Sequence, residues 1–303
     1  TVMQPPNDMK NAKFKQAAKQ HQVSYRERNI NPDYNTYVTW LTDSDGNTGK
    51  NFYDKLSVFK EVKNRYPEFY VDLYSDMLRS EHIPFNLFVP FKHDLTFCKN
   101  VFNEFMNGCI KSIDKHSVID KKDNIKLEFA PSPKSEYLDD GTSFDTYIEY
   151  THIDNSKGII CIEVKYTEKE YPLKEGSTQA KTIKDKSSKY YSVMKYSGLY
   201  KPNTTDALLT DIFRQVWRNH LLAESMRLHP NGKIKHASSL TFYPEGNEHF
   251  TETSEKYISM LVNNNNKYIP VTYEKFLLWS YHHCPDKDFK DWLDFLTKRY
   301  IVK

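Results

Sequence analysis

Two short segments carry carboxylates that a hard cation can join: SFDTYIEY, with Asp145, and GIICIEVKYTE, with Glu163 and Lys165. In the second, Ile160, Ile162 and Val164 alternate with Cys161, Glu163 and Lys165, the period of a strand with one buried face. Residues two apart on a strand project from the same side, so Glu163 and Lys165 share a surface while Val164 turns into the core. Asp145 stands 18 positions before Glu163, a hairpin's distance, with the turn formers Asp154, Asn155, Ser156 and Gly158 between them. Adjacent carboxylates repel unless a cation joins them, and a hard divalent ion such as Mg²⁺ supplies one. The ion polarises a phosphate oxygen and lowers the pKa of its water, while Lys165 orients that water or steadies charge on phosphorus. A strand-edge ion pair between Glu163 and Lys165 is the plain alternative from spacing alone.

The tripeptide is not informative by itself, because it occurs twice. Glu61-Val62-Lys63 lies in FKEVKNRY, a helix-compatible segment in which residues two apart point in different directions. That copy reads as a solvated helix face.

The elements that position these residues follow from periodicity. Leu56, Phe59, Tyr66, Phe69, Tyr70, Leu73, Met77 and Leu78 recur at helical spacing, interrupted by Pro67 and Pro84, so at least two helices precede the sheet. A short strand at IKLEFA comes before the hairpin. The run ALLTDIFRQVWRNHLLAESMRL carries an apolar stripe of Leu209, Ile212, Phe213, Val216, Trp217 and Leu221, with Thr204 or Thr205 as its cap. A strand at SLTFYP follows, then helical patterns around 252–262, 273–282 and 287–299. The expected architecture is a mixed α/β domain divided as a basic helical arm and loop over 1–51, a core over 52–250 and a helical extension over 251–303 packed on the core.

Composition bounds the partners. The chain has 303 residues, 27% charged, 15% aromatic, with a net charge of +3. So many rings disfavour disorder, and the mildly basic balance permits a polyanionic partner without demanding one. No apolar run reaches the roughly 20 residues of a membrane span, and the start TVMQPPNDMKNAKFKQ has charge without a signal-like apolar stretch, so a soluble cytoplasmic protein is expected. Cys98, Cys109, Cys161 and Cys284 show no CxxC spacing and are expected as reduced thiols. His282-His283-Cys284 has no partner pair at ligand spacing and reads as a packed or surface cluster. Gly-rich phosphate loops, GxSxG elbows and Rossmann fingerprints are missing from the sequence.

The segments SFDTYIEY and GIICIEVKYTE, in the order helix, three strands, helix, strand, resemble the PD-(D/E)XK nuclease superfamily. SEHIPFNLFVPF, TSFDTYIEY, IEVKYTE and RQVWRNHLLAE are similar to PGN_0703-type restriction endonucleases within it. The likeness covers about 52–244 in four blocks, and QAAKQHQVSYRE extends it. It implies a restriction-endonuclease-like core, a mixed central sheet flanked by helices, and a Mg²⁺-dependent endonuclease cutting DNA, with Mn²⁺ as a substitute. Asp145 and Glu163 would be metal ligands with the Val164 carbonyl, Lys165 the catalytic lysine and Glu81 an additional acidic residue near the metal. Phe144 replaces the proline of the nominal PD pair, so Asp139, Asp140 and Glu149 stay open as the second carboxylate after Asp145.

On the following helix Gln215 shares a face with Arg218, Asn219 and Leu222. The resemblance makes Gln215 the residue to reach the lysine or the scissile phosphate. Lys189, Tyr190, Tyr191 and Lys195, in a stretch that interleaves lysines with tyrosines, suit contacts with phosphates and sugars of double-stranded DNA, as do Arg214, Arg218 and Asn219. Lys13, Lys15, Lys19, Arg26 and Arg28 invite the same idea. A restriction or defence enzyme of this kind is expected to work as a homodimer, one centre per strand. A structure-selective or repair nuclease and a non-cleaving DNA-binding protein are the alternatives.

Overall fold

The computed structural model describes residues 8–303. Among them, six strands form one sheet: β1 (Ile110–Ser112), β2 (Ile125–Phe129), β3 (Phe144–His152), β4 (Lys157–Val164), β5 (His236–Tyr243) and β6 (Tyr268–Thr272). The order is β1-β3-β4-β5-β6, with β2 pairing the early half of β3 where β1 pairs its end. β3 and β4 form the expected antiparallel hairpin, whereas β4–β5 and β5–β6 are parallel. Helix Asp211–Arg227 lies between β4 and β5 in the chain and packs against both. A mixed sheet flanked by helices is therefore the observed fold class, as the alternation predicts.

Strand alternation sorts the core onto two faces. One carries Ile148, Tyr150, Ile160, Ile162, Val164, Leu240 and Phe242 and meets Phe85, Phe88, Phe91, Trp292, Leu293 and Leu296. The other carries Tyr147, Ile159 and Cys161 and is covered by Trp217, Leu221 and Leu222 of the long helix. Asp145 and Glu163 belong by parity to this second face, at the ends of their strands where helix cover thins out.

Three local expectations are corrected. The helical run does not begin at Thr204 or Thr205: a single turn Thr205–Leu208 stops, and the helix restarts at Asp211 after an extended Thr210, leaving Ile212 40% exposed. Asp211 in the new first turn complements the positive helix end. The tail is not purely helical, because Tyr268–Thr272 adds β6 to the sheet, and β1 was likewise unforeseen. Arg26 is not a surface cation: it is 1% exposed and donates to the carbonyls of Asn31 (2.8 Å), Asp33 (3.0 Å) and Val38 (3.3 Å), holding the loop that follows the first helix.

Lys13, Lys15, Lys19 and Arg28 remain exposed. Glu61 of the first EVK copy pairs with Lys92 at 3.0 Å on a helix face, as the surface reading requires. All four cysteines are free. No helix of the described residues is long and apolar enough to cross a membrane.

Candidate active site

Strand register builds the site. Thr146 pairs with Ile162, so the next step of the antiparallel ladder sets Asp145 beside Glu163. Leu127 pairs with Thr146 and Phe129 with Phe144, so Glu128 falls opposite Asp145 from the other side. Glu128 has φ +50°, an unusual left-handed backbone for a non-glycine residue in a strand, of the kind that re-aims a side chain at a sheet edge. The Asp145 carboxylate accepts the Val164 N–H at 2.6 Å. The Val164 N–H thus fixes Asp145.

Glu163 and Lys165 project together, as the period of two requires. Lys165 Nζ donates to Glu163 Oε1 at 2.7 Å and to Gln215 Oε1 at 3.0 Å. Gln215 Nε2 donates to Glu163 Oε1 at 2.6 Å, and Asn219 Nδ2 donates to Oε2 at 2.8 Å. Gln215 and Asn219 are one helical turn apart, so a single helix face holds both carboxylate oxygens. Behind them lies a cavity of about 10 Å³, lined by Glu163, Lys165, Gln215, Asn219, Thr241 and Phe250, at the lower limit of what admits one water.

The electrostatics are those of a buried anionic cluster. Burial and the Glu163 and Glu128 charges push the Asp145 carboxyl well above the usual range, against the Lys165 charge and the Val164 N–H. Burial, Glu163 and Glu81 raise Glu128 to about 7. Burial opposes the Lys165 charge, but Glu163 and Asp145 outweigh it and carry its pKa above that of an ordinary lysine. Lys165 is only 5% exposed, so its charge is spent on this cluster. Glu81, on the single turn Ser80–His82, pairs with Arg79 at 2.9 Å and still bears on Glu128.

Glu128 escapes sequence reasoning because IKLEF looks like an alternating strand with Lys126 and Glu128 on its solvent side. The signal is in the register with β3, which spacing alone does not reveal.

The donor set fits a hard divalent ion: three carboxyls from three adjacent strands, with Glu81 nearby, all oxygen donors of the type such ions take. Carboxyls such as Asp145 and Glu128, raised by burial and by neighbouring carboxylates, mark a pocket suited to added positive charge. They do not form a closed ligand triangle. Among the described residues only His152, Asp154 and His236 bring three ligand atoms within 4.8 Å, and Glu163 turns both oxygens to Lys165, Gln215 and Asn219.

The other acidic positions are placed elsewhere. Glu149 is fully buried and accepts from Ser117 Oγ (2.6 Å), the Val118 N–H (2.7 Å) and Tyr147 OH (3.1 Å). Asp140 pairs with Arg218 at 3.0 Å, accepts from Thr142 and bonds Tyr190 OH. Asp139 is not among the groups around Asp145, Glu163 or Glu128.

Most side chains expected on a nucleic-acid surface are engaged within the chain. Arg218 and Tyr190 anchor Asp140, and Tyr190 is buried against Trp217 with ring centroids 5.3 Å apart. Arg214, 5% exposed, bonds Asp211, the Tyr171 carbonyl (2.6 Å) and Gln179 (3.3 Å). Tyr191 bonds the Ile183 carbonyl and Lys189 the Ser135 carbonyl. Asn219 belongs to the Glu163 network. Lys195 alone of this set is exposed, lying 5.8 Å from the Tyr196 ring.

Two open concavities flank the acidic centre instead. One of about 810 Å³ is lined by Glu128 with Arg65, Lys92, Lys121, Lys122 and Lys126. Another of about 640 Å³ is lined by Lys15, Arg79, Glu168, Lys169 and Tyr171. Lys165 Nζ lies 5.8 Å from the Tyr171 ring, which joins the second cavity to the centre.

A family model described as the PD-(D/E)XK nuclease superfamily matches residues 8–302. The chain belongs to that superfamily of nucleases, whose members generally use divalent metal ions. No curated protein and no solved structure gives a match.

Proposed function

We propose that this chain is a Mg²⁺-dependent endonuclease that hydrolyses phosphodiester bonds of double-stranded DNA, with a restriction or defence role. The observation that carries the reading is the convergence of Asp145, Glu163 and Lys165 on adjacent strand ends, with Glu128 completing an anionic pocket. Asp145 and Glu163 are the metal ligands, with Glu128 or Glu81 as a further oxygen donor and Mn²⁺ a competent substitute. When bound, the ion supplies Lewis-acid activation of a phosphate oxygen and of water.

The chain's own residues do the rest. Lys165 offers a fixed positive charge for the developing charge on phosphorus. Gln215 holds Lys165 and Glu163 in register, and Asn219 fixes the second Glu163 oxygen. Lys121 and Lys122, exposed in the cavity beside Glu128, and Lys195 further off, are suited to phosphates of the duplex. Cutting both antiparallel strands calls for two such centres, which a homodimer provides.

The test is cleavage of plasmid and genomic DNA with Mg²⁺, beside Glu163→Gln, which is expected to lower the rate by ~10²–10³-fold while leaving the melting curve cooperative. Discrete bands support the restriction role. Smears or cuts confined to flaps and junctions point to the repair-type alternative. Unaltered DNA that is still bound refutes hydrolysis.

A further inference from the structure

We propose that His152, Asp154 and His236 form a second metal site, for Zn²⁺, which pins the β3–β4 hairpin to the start of β5. Asp154 Oδ1 lies 3.1 Å from His152 Nδ1, and Asp154 Oδ2 lies 2.9 Å from His236 Nε2. Ligand atoms around a tetrahedral Zn²⁺ at 2.0–2.1 Å stand ~3.3 Å apart, so the spacing to Asp154 is already that of a metal site, and reorientation of the imidazoles brings their nitrogens onto the ion. Two imidazoles and one carboxylate are a donor set for this ion, with a fourth position left to water.

The fold prepares the cluster. Asp154 Oδ1 accepts the Ser156 N–H (2.8 Å) and hydroxyl (2.6 Å) within the hairpin turn. The imidazoles are brought together, centroids 3.8 Å apart, although they come from strands separated by β4; they lie nearly parallel, so metal binding turns the rings out of the stack. Gly158 lies on β4 directly beside His236, opposite Tyr150, and a Cβ there would stand 2.3 Å from the Tyr150 ring. The glycine makes room for the Tyr150 ring, which packs over β4 beside the histidine pair.

The side chains keep 18%, 51% and 33% of their surface open for His152, Asp154 and His236, which gives the ion an entry path. Behind them a cavity of about 460 Å³ is lined by Tyr150, Cys109, Asn266 and Lys267 together with both histidines. His152 ends the strand that Asp145 begins, seven residues and ~23 Å away, so the site is separate from the acidic centre. Metal binding here needs His152 Nδ1 to release the Asp154 N–H it accepts at 3.1 Å, or to present its other nitrogen.

The experiment is equilibrium dialysis of the untagged chain against ZnCl₂ in millimolar Mg²⁺, with bound metal counted and Co²⁺ substitution read by visible absorption. One Zn²⁺ per chain is expected. His152→Ala and His236→Ala are each expected to weaken binding at least ~10-fold and change the Co²⁺ bands, since even outer-shell losses cost that much. Glu163→Gln and His283→Ala should leave the count unchanged. Retention unaltered in both histidine variants, or lost in Glu163→Gln or His283→Ala, overturns the proposal. Melting in EDTA checks the fold, and His236→Gln, which keeps a bond to Asp154, replaces any alanine variant that melts early.

Discussion

Glu128→Gln should make the metal-free protein more stable at pH 8 while weakening the activity. Glu128 sits at about 7 against an ordinary value of 4.5, driven up by burial and by Glu163 and Glu81. A raised carboxyl pKa means that the folded state holds its proton longer than the unfolded chain does. Below about pH 4 both states are protonated and the group has no effect on stability. As pH rises past 4.5 the unfolded chain ionises first, stability falls, and the loss levels off above about 7. A shift of this size corresponds to ~3 kcal/mol at pH 8 and under ~1 kcal/mol at pH 5. Gln is isosteric and cannot ionise, so the substitution removes that cost. Urea unfolding in EDTA is the assay, with wild type and variant compared at both pH values. The expected result is a gain of ~2–3 kcal/mol at pH 8 that shrinks to under ~1 at pH 5, with Mg²⁺-dependent cleavage lowered. A variant less stable than wild type at pH 8, or a difference that does not change with pH, would refute the argument.

Lys165→Met should act in the opposite sense on stability. It leaves Glu163, with its side chain 14% exposed, without its cation, at a cost of ~3–5 kcal/mol in the urea midpoint alongside loss of cleavage. Arg26→Ala should cost ~2–4 kcal/mol by leaving the carbonyls of Asn31, Pro32, Asp33 and Val38 without their donor, yet leave the DNA affinity of the folded variant unchanged in a filter-binding titration. Arg218→Ala should destabilise by ~3 kcal/mol because Asp140, 7% exposed, loses its partner. Lys195→Ala should change stability by under ~0.5 kcal/mol and, if it touches a phosphate, reduce the salt dependence of binding by about one ion; calorimetry and salt titrations separate the two.

The hairpin was legible because β3 and β4 alternate with a period of two and turn formers lie between them, and on the face shared with the long helix the buried run of β4 ends in Glu163 while that of β3 starts from Asp145. That break in pattern, at Asp145 and at Glu163, marks where helix cover stops. β6 was hidden by Pro270, which argues against a strand interior. It is tolerated because β6 is the sheet's last strand, where a missing N–H on the open side breaks no ladder bond. The long helix was legible as a stripe, but its start depended on Thr210 turning extended, a choice made by packing and not by the stripe.

The candidate site divides along the same line. Glu163 and Lys165 come together because the strand period puts them on one surface, and the helix face that meets them carries Gln215, which the family resemblance singled out. Glu128 needs a register that no short-range pattern encodes, and a positive φ that propensity disfavours. The cations were the hardest to read, since Arg214 and Arg218 look identical to solvent-facing arginines until Tyr171 and Asp140 are brought against them. A charge becomes structural or functional according to what the distant chain supplies within hydrogen-bond reach. Here Arg214 and Arg218 are satisfied by the carboxylates of Asp211 and Asp140 with a carbonyl and hydroxyls, whereas Asp145 and Glu128 face each other across the strand register. Burial together with repulsion that Lys165 and the Val164 N–H offset only in part is the physical reason to expect a cation at this end of the sheet.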